Sequence, residues 1–134
     1  MPFEQRMTLP DGTRLLGVHA SLASDEFVII ETSTAEEATE VFPDCQADLV
    51  FAGHAHLESD KTFDGVRYIT LGSIANPMNS DLRAKYAILE ADESGYEVIR
   101  RYVEFDYERV VEAIKAAHHP SEPWLLKFYP REST

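Results

Sequence analysis

The sequence predicts a mixed α/β domain, and three observations support this prediction. Residues 14–19 and 49–52 have the composition of short strands, and the second run is continuously apolar, as interior strands of α/β sheets are. A capping-box sequence at residues 34–37 predicts the start of a helix between the two strands. Beyond residue 62 two hairpin signals follow one another, which favours antiparallel pairing toward the end of the chain. Strands alternating with a helix before these hairpins indicate an α/β arrangement with a mixed sheet.

The first third of the chain gives the following elements in order. Residues 1–9 carry little pattern, and Pro-Asp-Gly-Thr at residues 10–13 predicts a turn before the strand at 14–19. Residues 20–33 form a loop whose apolar centre, 27–30, is either a brief strand or a plug packed over the site, and we favour the plug. The Thr34 hydroxyl and Glu37 can cap each other's backbone amides, so the helix begins there and ends near residue 42, before a proline.

The rest of the chain is richer in strands. Asp-Gly at residues 64–65 predicts a type I′ turn that joins residues 62–63 to a strand at 66–71. Residues 85–91 and 96–103 are two further strands, joined by a turn at 92–95. Asp106 caps a last helix that runs to about Ala117 and places Val110, Val111, Ile114 and Ala117 on one face. The tail, residues 118–134, is expected to pack an aromatic cluster around Trp124 onto the domain.

Length, composition and charge limit the classes of protein to consider. The 134 residues suffice for one domain, residues 1–134, with a core of its own. Twelve basic and twenty-four acidic residues give a net charge of −12, which disfavours binding to nucleic acid phosphates. The single cysteine excludes an intramolecular disulfide, no apolar run approaches the length of a membrane span, and the amino terminus does not look like a signal peptide. We therefore expect a cytoplasmic protein that binds neither nucleic acid nor membrane.

Histidines at strand ends are the candidate metal ligands. His54 and His56 follow the apolar strand and a glycine, and in an extended segment both rings would point to the same side. His19 ends the earlier strand, and sites in α/β sheets collect at the carboxyl ends of strands. Neutral imidazole suits zinc, iron, nickel and copper, so the pattern predicts a metal site. The alternative is that these are ordinary polar residues at strand ends.

Other polar residues have simpler explanations. His118 and His119 fit a solvated helix C-terminus, where a positive charge is favoured by the helix dipole. Gly72-Ser73 fits a turn beside the site, and no base is placed by the sequence to make the serine a nucleophile. Asp25 and Glu26 are close in sequence to His19 and are candidates for supporting the ligands, although acidic loop residues are usually solvated.

Four segments together resemble a known family. They are the strand ending in His19, the strand followed by Gly-His-Ala-His at residues 53–56, the strand followed by Gly72-Ser73, and the strand at residues 83–89. In this order and rough spacing they resemble the calcineurin-like metallophosphoesterase superfamily, most closely its small bacterial members. The resemblance covers residues 14–103 but only the C-terminal half of such an enzyme. The Asp-x-His, Gly-Asp-x-x-Asp and Gly-Asn-His sequences of the other half do not occur here.

The resemblance implies a fold, a cofactor and a substrate class. The fold would be the C-terminal half of a four-layer α/β/β/α sandwich, in a domain, residues 1–134, that looks truncated. The cofactor would be a pair of divalent metals (Mn, Fe or Zn), with His19 and His54 as ligands to one and His56 to the other. Two such ions clamp a phosphomonoester or phosphodiester and activate a bridging water. Since three imidazoles carry no negative charge, this chain alone should hold at most one ion, and weakly.

Two hypotheses about function follow from the sequence. The first is a metal-dependent phosphoesterase module that is incomplete without the absent half. That half would be supplied by another chain or by sequence upstream, or it would be lost altogether if the chain is a remnant. The second is a non-catalytic interaction domain, because half a sandwich leaves a sheet edge and a sheet face uncovered. The second hypothesis predicts a homodimer.

Overall fold

The computed structural model describes residues 4–129, which form two sheets and short helices. The strands are β1 (Glu4–Thr8), β2 (Arg14–Val18), β3 (Leu49–Ala52), β4 (Glu58–Phe63), β5 (Val66–Leu71), β6 (Ala84–Asp92) and β7 (Gly95–Val103). The helices are α1 (Ala35–Val41), α2 (Tyr107–Ala116) and α3 (Glu122–Leu125), and a 3-10 turn follows at Leu126–Phe128.

The larger sheet is mixed, as the sequence predicted. Its five strands lie in the order β1-β2-β3-β5-β4. Strands β2, β3 and β5 are parallel neighbours, whereas β1 and β4 pair antiparallel at the two edges. The second sheet is the antiparallel hairpin β6-β7. The predicted α/β class with mixed and antiparallel pairing is therefore confirmed.

The apolar run of β3 is buried on both faces because β3 lies in the middle of the larger sheet. On one face Val50 packs in a cluster that includes Ala38 and Phe42 from the helical side. On the other face Leu49 packs in a cluster against which residues of the second sheet are placed, among them Leu89. The molecule is thus layered as helix, sheet and sheet, and burial of both faces explains why β3 shows no polar alternation.

Helix α1 begins as its sequence predicted. The Thr34 hydroxyl accepts a hydrogen bond from the Glu37 amide at 3.3 Å, and the Glu37 carboxylate accepts from the Thr34 amide at 2.9 Å. Asp106 likewise caps α2 by accepting from the Arg109 amide at 3.0 Å. The predicted apolar face of α2 is present, but no residue of that helix is buried.

Two strands differ from the predictions, and both are polar edge strands. Strand β1 occupies residues to which no pattern was assigned, and all five of its residues are exposed. Strand β4 begins at Glu58 instead of residue 62, and Ser59 is its one buried residue. Most residues of both strands are polar, so their sequences give no period-2 hydrophobic signal. The expectation that the amino terminus is not a signal peptide rests partly on residues 1–3, which lie outside the described residues.

Two apolar segments also pack differently from the predictions. Residues 27–30 form no strand, so that alternative is wrong; Ile29 fills the core beside α1, whereas Phe27 is 64% exposed. In the tail, Trp124 is 53% exposed and stacks edge-on against Phe128 instead of packing onto the domain. Tyr129 is the buried aromatic residue there, and its hydroxyl donates to the Ala75 carbonyl at 2.6 Å. The rest of the predicted tail, residues 130–134, is outside the described part.

Within residues 4–129, no helix has the length and apolar character needed to cross a membrane.

The amino ends of β2 and β3 are joined by a polar clamp. Arg14 donates to the Asp48 carboxylate from its backbone amide at 2.9 Å and from its guanidinium at 2.9 and 2.7 Å. The Asp48 amide in turn donates to the Arg14 carbonyl at 2.8 Å. These hydrogen bonds lower the pKa of Asp48 to about 2.

The clamp predicts a specific loss of stability in acid. Because the folded-state pKa of Asp48 lies below its unfolded value of about 3.9, its contribution is complete above that value and is lost as the pH falls toward 2. We expect Asp48→Asn to lower the free energy of unfolding by about 0.5–1 kcal/mol at pH 6. In urea titrations at pH 6, 4, 3 and 2, this difference should shrink steadily as the pH falls from 4 to 2. The exposed α1 carboxylate gives the control, Glu40→Gln; the same pH dependence in that variant would contradict the assignment.

Candidate metal centre at the carboxyl edge of the parallel strands

The carboxyl ends of three parallel strands bring the histidine and glycine segments to one edge of the larger sheet. Strand β2 leads directly into His19, β3 into Gly53 and His54, and β5 into Gly72 and Ser73. Since β2, β3 and β5 are neighbours that run in the same direction, these segments lie side by side.

His19 and His54 meet at this edge. The Nε2 atom of His19 lies 3.1 Å from the Nδ1 atom of His54, and the ring centroids are 5.1 Å apart with the planes at 81°. A hydrogen bond between these nitrogens needs one of them protonated and the other not. Both side chains are on the exposed side of the sheet edge, within reach of a ligand from solvent.

The spacing of the two nitrogens also fits joint binding of one metal ion. With metal–nitrogen bonds of 2.0–2.1 Å, two imidazole nitrogens on one ion lie about 2.9 Å apart at an octahedral angle and about 3.4 Å apart at a tetrahedral one. The observed 3.1 Å falls between these values. The pair therefore fits two ligands of one divalent ion.

The backbone around Gly53 creates this approach. The Gly53 amide donates to the His19 carbonyl at 2.8 Å, and a Cβ at position 53 would lie only 3.4 Å from that oxygen. His54 and His56 both adopt positive φ, at 58° and 55°. The expectation of an extended segment with both rings on one side is therefore wrong, because the chain turns in left-handed conformations. Such conformations are uncommon in residues other than glycine, although histidine adopts them more often than most residues do.

His56 does not join the pair in a larger cluster. Its side chain is partly buried, and its carbonyl accepts a long hydrogen bond, 3.4 Å, from the Met78 amide. Across residues 4–129, no three or more side chains of histidine, cysteine, aspartate and glutamate come together in a group that could hold a metal ion. The described chain thus brings two imidazoles together, without a larger group of ligands.

An open groove of about 1240 Å³ reaches His19, whereas neither His54 nor His56 lines it. Its wall includes Gly53 and Gly72 from the strand ends and, among others, Phe51, Ile74 and Tyr86. Asp25 also lines the groove, whereas Glu26 is simply exposed.

The remaining candidates lie elsewhere or have structural roles. His118 and His119 follow α2 and are exposed, and the His119 Nδ1 atom accepts from the Ser121 amide at 3.0 Å. The Ser73 hydroxyl accepts from the Asn76 amide at 2.9 Å, as expected for a turn.

Lys85 is a residue of this region that the sequence reasoning missed. Its side chain is only 1% exposed, and its stem packs beneath Gly72. The signal was present in the strand pattern, because Lys85, Ala87 and Leu89 share one parity and the last of these is apolar and core-facing. A lysine on the buried side of a strand indicates a paired charge.

Comparisons with known proteins identify the fold. No protein-family model and no curated protein matches the sequence. Among solved structures, a hypothetical protein of Pyrococcus horikoshii superposes with a TM-score of 0.77 at 17% identity, over 99% of this chain and 52% of its own. A metallophosphoesterase of Sphaerobacter thermophilus superposes with a TM-score of 0.72 at 23% identity, over 96% of this chain and 56% of its own. Vps29 of Entamoeba histolytica in complex with Zn²⁺ superposes with a TM-score of 0.51 at 16% identity, over 77% of this chain and 61% of its own.

The chain therefore has a metallophosphoesterase-like fold, and the resemblance noted in the sequence is confirmed at this level. It spans about half the length of the first two of these structures.

Gly72 offers a test of how tightly the site edge is packed. Its φ is +84°, and a Cβ there would lie 2.8 Å from Cδ of Lys85 and 3.1 Å from Cγ of Glu58. Gly65 has a similar φ of +82° with nothing within 4 Å of the same position. We expect Gly65→Ala to cost about 1–2 kcal/mol through backbone strain alone. Gly72→Ala should cost about 1–3 kcal/mol more through overpacking. If both variants lose the same free energy of unfolding in urea, the Lys85 side chain moves aside without cost and the site edge is not tightly packed.

Proposed function

We propose that this chain is a module of a metal-dependent phosphoesterase. The observation that carries the proposal is the 3.1 Å approach of His19 Nε2 to His54 Nδ1 at the carboxyl edge of the parallel strands. His19 and His54 would bind one divalent ion, and His56 would belong to a second. The metallophosphoesterase-like fold supports this function, and the zinc complex of Vps29 shows that a protein of similar fold takes that ion.

The chemistry divides between the metal and the residues of this chain. Bound divalent ions would polarise a phosphomonoester or phosphodiester and lower the pKa of a bound water, with manganese, iron or zinc as the candidates. The histidines would hold and orient the ions, which the Gly53 turn makes possible by bringing the two rings together. The groove beside them is wide enough to receive a small phosphoester.

The module would need carboxylate ligands from outside the described residues 4–129. Neutral imidazoles do not offset the charge of two dications, and the described residues place no third ligand beside the pair. Because the first two structures compared are about twice as long, the rest of such a fold is where we place these ligands. We propose that this remaining half is supplied by another chain or by a longer form of this one.

Metal binding by the isolated chain tests the proposal directly. In calorimetric titrations with Zn²⁺ and Mn²⁺ at pH 7.5, we expect one ion per chain at most. His19→Ala and His54→Ala should each weaken binding at least tenfold, because each removes one of two ligands. His56→Ala should leave the first ion in place, and His118→Ala is the matched control at an exposed position. Unchanged metal affinity in both His19→Ala and His54→Ala would contradict the proposal that these two histidines bind the ion.

The same variants test the reaction. Any manganese-dependent hydrolysis of p-nitrophenyl phosphate should fall at least tenfold in His54→Ala and in His56→Ala, while His118→Ala keeps it. Full activity in the first two variants would contradict the assignment of the histidines.

A second candidate function, a homodimerising interaction domain, is favoured by the outer face of the second sheet. Tyr86, Ile88 and Val103 share that face and are all exposed, and Ile88 lies opposite Ile99 in the strand register. Apolar side chains grouped on one sheet face are typical of an interface.

If this candidate is right, the chain should be a dimer by light scattering at micromolar concentration. With −12 on each copy, association should strengthen between 0.05 and 0.5 M NaCl. Ile88→Glu should give a monomer, and Glu97→Gln, on the same sheet, should not. A monomer at both salt concentrations would exclude the second candidate and leave the first intact.

A further inference from the structure

Lys85 is a buried cation between the two sheets, close to the candidate site. It lies on β6 with its side chain 1% exposed, and its backbone amide donates to the Ser73 carbonyl at 3.0 Å. A buried ammonium is retained only where oxygen partners replace its water, and here the partners are specific. The Nζ atom lies 3.2 Å from Glu58 Oε2, 3.2 Å from Asn79 Oδ1 and 3.8 Å from Asp81 Oδ2.

Two of these partners belong to one irregular segment, residues 73–83. The segment has no helix or strand, yet it forms part of the groove wall through Ile74. Two other hydrogen bonds hold the segment. The Met78 amide donates to the His56 carbonyl, and the Ala75 carbonyl accepts from the Tyr129 hydroxyl. The Asp81 carboxylate is bound mainly by Arg83, at 2.9 Å, so the ammonium of Lys85 ties the far end of the segment to the strand beneath the groove chiefly through Asn79.

The contact between the sheets does not depend on Lys85 alone. Glu58 also accepts from the Arg100 guanidinium at 3.4 Å and from the Tyr102 hydroxyl at 2.7 Å, both from β7. Arg100 further donates to the Thr70 and Ser59 carbonyls at 3.1 and 2.8 Å. Removing the ammonium would therefore leave β7 attached to the larger sheet, while Asn79 would lose this charged partner.

We propose that Lys85 is a positioning residue: it fixes the 73–83 segment, and through it one wall of the groove and the backbone of His56, beside the histidine pair. This inference deepens the proposed function, because it identifies the residue that shapes the pocket for substrate and second metal. It concerns the metal-free chain, so its test does not depend on activity.

Hydrogen exchange and histidine NMR on the metal-free chain measure this role. Lys85→Met keeps the stem beneath Gly72 and removes the charge. We expect amides of residues 73–83 to exchange at least tenfold faster and the His56 imidazole signals to shift or broaden. The His19 and His54 signals should stay as in the wild type, and their zinc affinity should change less than twofold.

Two further variants separate positioning from general stability. Asn79→Ala removes one partner without uncovering the buried charge, so it should loosen the same segment even if Lys85→Met folds poorly. Because Asn79 Oδ1 also accepts from the Asp81 amide at 3.1 Å, Asn79→Asp, which keeps that acceptor and the ammonium's partner, should restore the slow exchange. Leu89→Ala weakens the packing between the sheets along the same strand and is the matched control.

The proposal fails if Asn79→Ala and Lys85→Met both leave exchange at residues 73–83 unchanged. It also fails if Leu89→Ala accelerates that exchange as much as they do. Absence of zinc binding in the wild type would instead overturn the proposed function and leave the exchange result standing.

Discussion

The parallel pairing of β2 with β3 is the constraint on which the site depends. At the amino ends, Arg14 and Asp48 exchange backbone hydrogen bonds and join through a bidentate ion pair. At the carboxyl ends, the Gly53 amide donates to the His19 carbonyl. A shift of either strand by one residue would move its side chains to the opposite face of the sheet and separate His19 from His54. The strand register that fills the core is thus also the register that pairs the two imidazoles.

Elements with a strong local signal were predicted well from the sequence, and those without one were missed. The capping box at Thr34 and the Asp-Gly turn before β5 specify their backbone through neighbouring residues, so the sequence contains the necessary information. Strands β1 and β4 lie at the edges of the sheet, and their mostly polar sequences resemble loops. Their pairing partners, not their composition, make them strands.

The same distinction applies to the site. The rule that sites gather at the carboxyl ends of parallel strands correctly brought His19 near His54 across 35 positions of sequence. The conformation of residues 54–56 was not predictable by that rule, because left-handed φ values in histidine are imposed by surrounding contacts and not by local preference. Lys85 was missed for a related reason: Glu58 lies far from it in sequence, and only the folded sheets bring the two together.

Charge bears on where the remaining ligands of the proposed site would come from. The protein carries twenty-four acidic residues, yet none of those described joins the histidine pair in a ligand group. Several acids near the sheets are already neutralised: Glu58 by Lys85 and Arg100, Asp48 by Arg14, and Asp60 by Arg67. Each of these carboxylates stabilises the fold and would lose its cation if it turned toward a metal. Moving Glu58 to the site would leave the buried ammonium of Lys85 without this partner, at a cost that a single weakly held ion does not offset. Ligands from outside this chain avoid that conflict, which is why we place the carboxylates of the proposed site in the remaining half of the fold.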